Sequence, residues 1–579
     1  MKKNKKVMLL VLAIVICVLL AIAISFLIDA KTLNSEKNII KASLKATVSD
    51  VKSNDFDKAQ DDLNELQKST KRVETKLNTT KWKVASKLPL VGNDITSAKS
   101  LISILNEVMD KAATPSLNTL EQYPLDSLKV NDGFNVKNIN AYLKLADKVI
   151  PILSESKDDI DSIDFRFIKL GTLKEYKQLL VDLITTYTDH EDYINLLKAF
   201  IGDGTEDKLY VFVAQNTSEI RAGGGFPGSV GTIEIKDGIL TVGEFSSVVN
   251  TLPRLMPAGC NITAEENDMF GGWLGMHRDA TFIPDFERAG EIWAIGYESM
   301  NGEKVDGVVS ALPQIIQKFL KIFGPISLDD KYTLSGDNAT RVIEKDIYFD
   351  HFFKDNYTSK SNEITDNYFS QTAKLTMEKL VENISIKNLP DFIDVFEESI
   401  EDRSFMMWLK DEDGQELVRK VGAAATLNYD KDNPETGVYI SCRDGDRLGI
   451  FATLDVEMSK PTKNKDGSCT YDMKVVLGNS MTKEIQQNAR GYILGSYGGD
   501  MYTLLHLFAP MGGTVSDFKT SNDMNITIGE YKGLQVGYAN HFFVYPGKPI
   551  TITYKVTTAP GVDTPLKLIK TPTLQEYVK

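Results

Sequence analysis

At 579 residues, 42% hydrophobic and 25% charged, the chain is long enough for several domains and ordinary enough in composition for packed cores. Its formal net charge of −14 excludes the broad basic face of a nucleic-acid binder, so no nucleic acid is expected as a partner. The same charge repels an anionic lipid surface everywhere except at the N-terminus.

That terminus reads MKKNKK and then runs without a charge from Val7 to Ile28, long enough for the ~20 apolar residues that span a bilayer. Lys2, Lys3, Lys5 and Lys6 hold the first end in the cytoplasm by the positive-inside rule. A cleaved signal has a shorter apolar region, about 7–15 residues, and Ile28-Asp29-Ala30 is a poor small-x-small cleavage site. The expectation is a single uncleaved span: residues 1–6 cytoplasmic, 7–28 in the cell membrane, and the bulk extracytoplasmic. Cys17 is then a membrane-buried thiol.

Residues 35–200 read as a helical bundle or stalk. Phe56, Ala59, Leu63, Leu66, Thr70, Val73 and Leu77 follow steps of three and four, a seam of heptad spacing. A second stripe holds Ile95, Ala98, Leu101, Leu105, Val108 and Ala112, and further helices are expected over Asn138–Ser154 and Leu173–Phe200. Such stripes serve an antiparallel bundle standing on the membrane. A dimerising or sensing stalk is the alternative, and the sequence leaves the oligomeric state open.

After a boundary at Ile201–Thr205, residues 207–421 read as an α/β head. Leu209–Ala214 is a buried-looking strand that breaks into a polar turn with Glu219 and Arg221, followed by Gly223, Gly224 and Gly225. Ser229–Ile235 is a second strand, turning at Lys236-Asp237-Gly238 into a third. A helix over Pro284–Tyr297, a strand at Val305–Val309, a helix over Pro313–Phe323 and an extended piece from Ile326 give the strand and helix alternation of an α/β sheet. Lys345–Val421 reads as mostly helical, with Leu375, Leu380, Phe392, Val395 and Phe396 as core. From 423 to 558 short strands (Val438–Ser441, Leu448–Val456, Tyr471–Leu477, Leu534–Val544 and Ile550–Val556) indicate a β-sandwich-like domain. Residues 559–579 read as a loose tail. The fold class is multidomain α+β. Cys442 and Cys469 share the β-rich region and form a candidate disulfide, whereas Cys260 has no evident partner.

Complete catalytic motifs are missing. The triple glycine leads into a strand, without the helix of G-x-G-x-x-G or the Lys-Ser/Thr of a P-loop. Pro227 and Leu494 occupy the first glycine positions of would-be G-x-S-x-G elbows at Ser229 and Ser496. The five histidines are scattered, so no metal site is expected, and no cofactor is. Arg221, Arg254 and Arg278 each lie beside Gly or Pro in turn-like contexts and together could hold an anion. Glu219, Asp279 and Asp285 are their candidate carboxylate partners, and ion pairs Glu219–Arg221 or Arg278–Asp285 would give the same residues a purely structural role.

The runs LPLVGNDITSAKSL (Leu88–Leu101), LYVFVAQNTSEIRAGGGFPGSVGTIEIKDGIL (Leu209–Leu240), RDATFIPDF (Arg278–Phe286) and VDGVVSALPQIIQKFLKIFGPISL (Val305–Leu328) resemble a bacterial family of single-pass membrane proteins, the domain of unknown function 4012. Its most specific mark is Asn-x-x-Glu-x-Arg-x-x-Gly-Gly-Phe, here Asn216–Phe226. The resemblance implies a membrane-anchored extracytoplasmic protein and supplies no activity. The head is also distantly similar in layout to the LytR-CpsA-Psr phosphotransferases. Arg221 stands for that family's arginine-bearing strand, Thr251–Arg254 for its strand ending in Pro-Arg-Asp, and Val305–Ile326 for its later strand and helix. Leu255 replaces the aspartate, and Ala222-Gly223 replace Ser-Asp. That similarity implies a binder of pyrophosphate lipids over a working transferase. The expectation is a non-enzymatic envelope binding or scaffolding module, whose partner is a cell-wall polymer or lipid-linked precursor. A divergent phosphotransferase using the three arginines, with Asp279 or Asp285 as base, and a sensor partner using the stalk are the alternatives.

Overall fold

The computed structural model describes residues 39–578 except positions 40–41, 44–45, 48, 51–52, 54, 90–91, 132, 165–180, 182–183, 186–187, 272–273, 354–357, 384–388 and 446. The apolar run 7–28, Cys17 and the start of the helix expected over Leu173–Phe200 lie outside the described residues. Among those described, no helix is long and apolar enough to cross a membrane. The protein is of mixed α and β structure and divides into two compact units: the chain up to Glu206 with Lys236–Leu240 and Ser385–Asp391, and Asp207–Ile235, Thr241–Ile384 and Phe392 onward.

In the first unit the heptad seam makes helix α1 (Phe56–Leu77), started by the Asp55 side chain, which accepts from the Lys58 amide. Of the seven seam positions, the six from Ala59 to Leu77 are buried. They pack against α3 (Gly92–Val108), which follows the short α2 (Thr80–Ala85), and against α4 (Thr114–Gln122). A polar rivet sits in that seam: Thr70 donates to Asn106 at 2.6 Å, and Asn106 donates to Glu74 at 2.7 Å. A polar group buried among apolar side chains is destabilising unless bonded, so these contacts fix the register of α1 on α3. A two-strand ribbon, β1 (Lys129–Val130) with β2 (Gly133–Asn135), leads into the long α5 (Val136–Asp161), and α6 (Glu191–Ile201) packs on α5. The seam is therefore covered by this chain's own helices.

The second unit is built on β3, which runs without interruption from Lys208 to Arg221. Its first half is paired on both sides. It lies antiparallel to β4 (Gly224–Lys236) and parallel to β6 (Gly307–Ala311), with β7 (Phe405–Leu409) antiparallel beyond. Between β4 and β6 in the chain come strand β5 (Ile239–Val242), β4's neighbour in the sheet, and helix α7 (Phe286–Asn301). Both faces of this strand are covered, with Val211 and Val213 in one core and Tyr210 buried on the opposite face, which explains why LYVFVA is a continuous apolar run and not an alternating one. Helix α8 (Pro313–Phe323) starts with proline in its first turn. It packs Phe319 and Phe323 against Phe392 and Phe396 of the helix Leu389–Glu401. Strand β7 interrupts the stretch 345–421, which the sequence reads as mostly helical. Phe405–Leu409 is a five-residue apolar run, and its neighbour β6 gives it a sheet partner that local periodicity does not reveal.

The sandwich consists of two sheets. One has the order β13 (Thr527–Tyr531), β14 (Leu534–Val544), β11 (Met501–Phe508), β8 (Glu435–Cys442), β16 (Lys567–Lys570). The other carries β9 (Ala452–Met458), β10 (Cys469–Asn479), β15 (Ile550–Thr557) and β12 (Thr514–Thr520). Strand β16 joins β8 in parallel, Leu574 is fully buried, and Thr571 donates its amide to Val438. The segment 559–578 is thus part of the sandwich and not a loose tail. Cys442 and Cys469 are buried and form no disulfide. Cys442 ends β8 opposite Thr503, at the end of the sandwich where Asn479 bonds Val544. Cys469 opens β10, ten residues before Asn479, a span on the order of 30 Å along a strand.

The expected boundary near 421–423 does not separate units. The second half of β3, Gln215–Arg221, is buried at every position, and Ile220 lies in the sandwich core with Val438, Ile440 and Leu454.

Candidate anion-binding site

The β3–β4 hairpin is irregular where the family-like element lies. Asn216 pairs with Phe226 and Arg221 with Gly224, so five steps on β3 face two on β4. The extra residues, Thr217–Ile220, bulge out of the ladder and need other partners for their backbone groups. Glu344 supplies two of them: its carboxylate accepts from the amides of Thr217 at 3.0 Å and Ser218 at 2.9 Å. Glu344 sits on a single π-helical turn, Val342–Asp346, a distortion frequent at special positions. Burial pushes its carboxyl up to about 7, against the pull of the two amides and of Arg447. Asn216 donates to the Tyr348 hydroxyl at 2.6 Å, and Ser441 takes the Ala222 amide at 2.9 Å.

The hairpin turn needs two of its three glycines. Gly224 holds φ +119°, and a Cβ on Gly225 would stand 2.2 Å from the Asn216 carbonyl oxygen. Gln215 caps the turn by accepting from the Gly225 amide at 2.7 Å.

The expected local ion pairs are not the ones formed. Glu219 is bound by Arg447, not by Arg221. Arg447 lies against the rings of both Tyr348 and Tyr492, 4.4 and 4.5 Å from their centroids, and donates to the Tyr492 hydroxyl at 2.7 Å. Burial opposes its charge, but Tyr348, Glu219 and Tyr492 outweigh that and hold it well above the usual arginine value. Asp285 is bound by Lys532 at 3.0 Å, not by Arg278. Burial raises its carboxyl, with Lys532 pulling the other way. A bulge sends neighbouring side chains in different directions, so the i, i+2 pairing inferred from the sequence fails there.

The arginines themselves do gather. Arg221 donates to Asp279 at 2.6 Å and to the Arg278 carbonyl at 3.3 Å. Its guanidinium lies 4.2 Å from the Phe282 ring centroid and 5.1 Å from that of Phe226. Arg443, which the sequence reading did not single out, lies 5.8 Å from the same Phe282 ring and donates to the Gly271 carbonyl. Arg254 is brought beside this group by its carbonyl, which accepts from the His277 amide, and by the bridge Leu255–Met276. Burial lowers the Arg278 pKa, the nearby charge of Arg254 lowers it further, and its Nε is buried without a partner. Burial also lowers Arg443, with Arg221 contributing. Arg221, Arg278 and Arg443 thus lie within reach of one carboxylate, Asp279, with Arg254 close to Arg278. Arg443 could have been found by the criterion that selected the others, since it too sits at a turn, before Asp444-Gly445. Among the described residues no group of His, Cys, Asp and Glu has the geometry of a metal site.

The layout similarity to LytR-CpsA-Psr proteins departs at its second element: Val248–Thr251 is a helical turn before Arg254, not a strand ending there. Neither a curated protein nor a solved structure matches the chain. Residues 205–348, which hold β3, the Gly-rich turn, Arg254, Arg278 and Glu344, match the family described as protein of unknown function, DUF4012.

Proposed function

We propose that this chain is a membrane-anchored, extracytoplasmic binding module of the bacterial cell envelope that holds a phosphate or pyrophosphate group on Arg221, Arg278 and Arg443. The observation that carries this reading is the gathering of Arg221, Arg278 and Arg443 about Asp279, with Arg254 close to Arg278, in a protein of strongly negative net charge. Like charges at close range raise the free energy of the empty site, and an anion that relieves them is bound with charge-assisted, bidentate hydrogen bonds. The run 7–28 supports the anchor. Binding is favoured over phosphotransfer because Asp279 is engaged by Arg221 and Asp285 by Lys532. A sensing stalk built on the α1 seam is disfavoured, since that seam is covered within the chain.

The test is calorimetric titration of the full chain in detergent micelles with inorganic phosphate and pyrophosphate. Arg278→Gln is expected to weaken binding at least tenfold. Wild type binding no more tightly than this variant overturns the proposal, and turnover of a pyrophosphate-linked wall precursor that is lost in Arg221→Ala would replace it with the transferase reading.

A further inference from the structure

Beside the arginines one end of the β13-β14-β11-β8-β16 sheet carries a partly exposed aromatic cluster, on the face that further along buries Tyr439, Leu504 and Phe508 against the head. Cross-strand neighbours share a face. Arg443 donates its amide to Tyr502, just past the Cys442–Thr503 pair, and Tyr502 pairs with Phe543. Arg443, Tyr502 and Phe543 therefore form one row across β8, β11 and β14. The rings of Tyr502 and Phe543 are 5.0 Å apart and inclined by 29°, and Phe543 and Tyr545 are 6.1 Å apart and inclined by 23°. Tyr497 stands edge-on to Phe543 at 5.0 Å, and His541 lies 5.4 Å from Tyr502. Tyr497 and Tyr545 are each 46% exposed. The loop bearing Tyr497 is tied down at its neighbour, because Ser496 donates to Asp444 at 3.0 Å.

A cluster of aromatic rings left partly exposed is uncommon on a protein surface, where a large apolar group gains nothing from exposure. Tyrosine presents an apolar face and a hydroxyl at its tip. A pyranose ring offers the complementary surface: one face of C–H bonds that meets the negative face of an aromatic ring, rimmed by hydroxyls. Arg443 joins this surface to the arginine cluster, since its guanidinium shares the Phe282 ring with Arg221 while its backbone pairs with Tyr502.

We propose that Tyr497, Tyr502, Phe543 and Tyr545 form a stacking platform for the sugar rings of a glycan whose phosphate lies on Arg443, Arg278 and Arg221. The position of the phosphate rests on the function proposed above; the stacking of sugar on the aromatic rings does not. A greasy chain would be met better by Leu and Ile than by tyrosine hydroxyls, and the positive charge beside the rings selects an anionic glycan over a neutral one.

The test is titration of the full chain in detergent micelles with inorganic phosphate and with a panel of hexose 1-phosphates (glucose, mannose and N-acetylglucosamine). At least one sugar phosphate is expected to bind at least tenfold more tightly than inorganic phosphate. Tyr497→Ala with Tyr545→Ala is expected to abolish that gain and leave phosphate binding unchanged, while Ile528→Ala, an exposed apolar residue on the same sheet, alters neither. The melting temperatures of the variants check folding. If phosphate binds through Arg278 but no sugar adds affinity, or the gain survives the tyrosine substitutions, the platform is refuted and the anion site stands. If a sugar phosphate shows the tyrosine-dependent gain but Arg278→Gln changes nothing, the anion site is refuted and the platform stands. If the tyrosine variants shift the oligomeric state in sedimentation and change no sugar binding, the face joins copies of the chain and the proposal falls.

Discussion

Replacing Glu344 by Gln tests whether the bulge in β3 is held by a carboxylate that prefers to be neutral. Burial places this carboxyl near 7 in the folded protein, against an ordinary value of 4.5. The native state therefore binds the proton more tightly than the unfolded chain, which corresponds to about 3 kcal/mol across the whole interval. Because the folded value is raised, stability is greatest below 4.5, declines as the pH rises toward 7, and levels off above. About 2 kcal/mol of that decline falls between pH 5 and 7.5. Glutamine keeps the shape and an acceptor oxygen but does not titrate. The assay is hydrogen exchange of the peptide spanning Gln215–Gly225 in the full chain, corrected at each pH for intrinsic exchange and read as an opening free energy. Relative to wild type, the variant is expected to gain about 2 kcal/mol between pH 5 and 7.5. Other buried acids, Asp285 among them, titrate alike in both proteins and cancel. Parallel curves for the two proteins would mean that Arg447 keeps Glu344 charged throughout, and the reasoning would be refuted.

Arg447→Met leaves Glu219 buried without its cation and is expected to destabilise the protein by about 3–5 kcal/mol in thermal denaturation. Adding Glu219→Gln should recover part of that loss, and strictly additive effects would argue against the pair. Gly225→Ala should destabilise by several kcal/mol, since the new methyl would collide with backbone at Asn216, whereas Gly491→Ala, with nothing within 4 Å, should lie within about 1 kcal/mol of wild type; equal melting temperatures would refute the steric account. Leu574→Ala, at a fully buried position, should cost about 2–5 kcal/mol. A loss below about 0.5 kcal/mol in denaturation would mean that the segment after β15 does not pack as described.

Where a pattern is local, the sequence carries it well. The α1 seam is buried at all but its first position, and Pro313–Phe323 forms a helix with the expected start and stop. Both follow from periodicity and from proline and glycine punctuation. The extent of β3 was not legible, because Asn-Thr-Ser-Glu reads as turn residues, and only partners far along the chain make it a buried strand. Glu344 lies 127 residues from the Thr217 amide it holds, and Arg447 lies 228 residues from Glu219. No local signal encodes such pairs. Short strands such as Lys567–Lys570, flanked by prolines and polar residues, are likewise defined by the neighbour that completes their ladder. At the site, residue chemistry was readable for Arg221, Arg254 and Arg278, while the carboxylate assigned to each arginine was not, because a bulge separates direction from spacing.

The stretch by which a relative would be recognised, 205–348, contains Glu219, Ile220 and Ala222 but not Arg447 or Ser441, which complete them. A recombination event that carried off only that stretch would strand a buried carboxylate and an uncovered isoleucine. The signature stretch therefore depends for its buried partners on the sandwich that follows it in the chain.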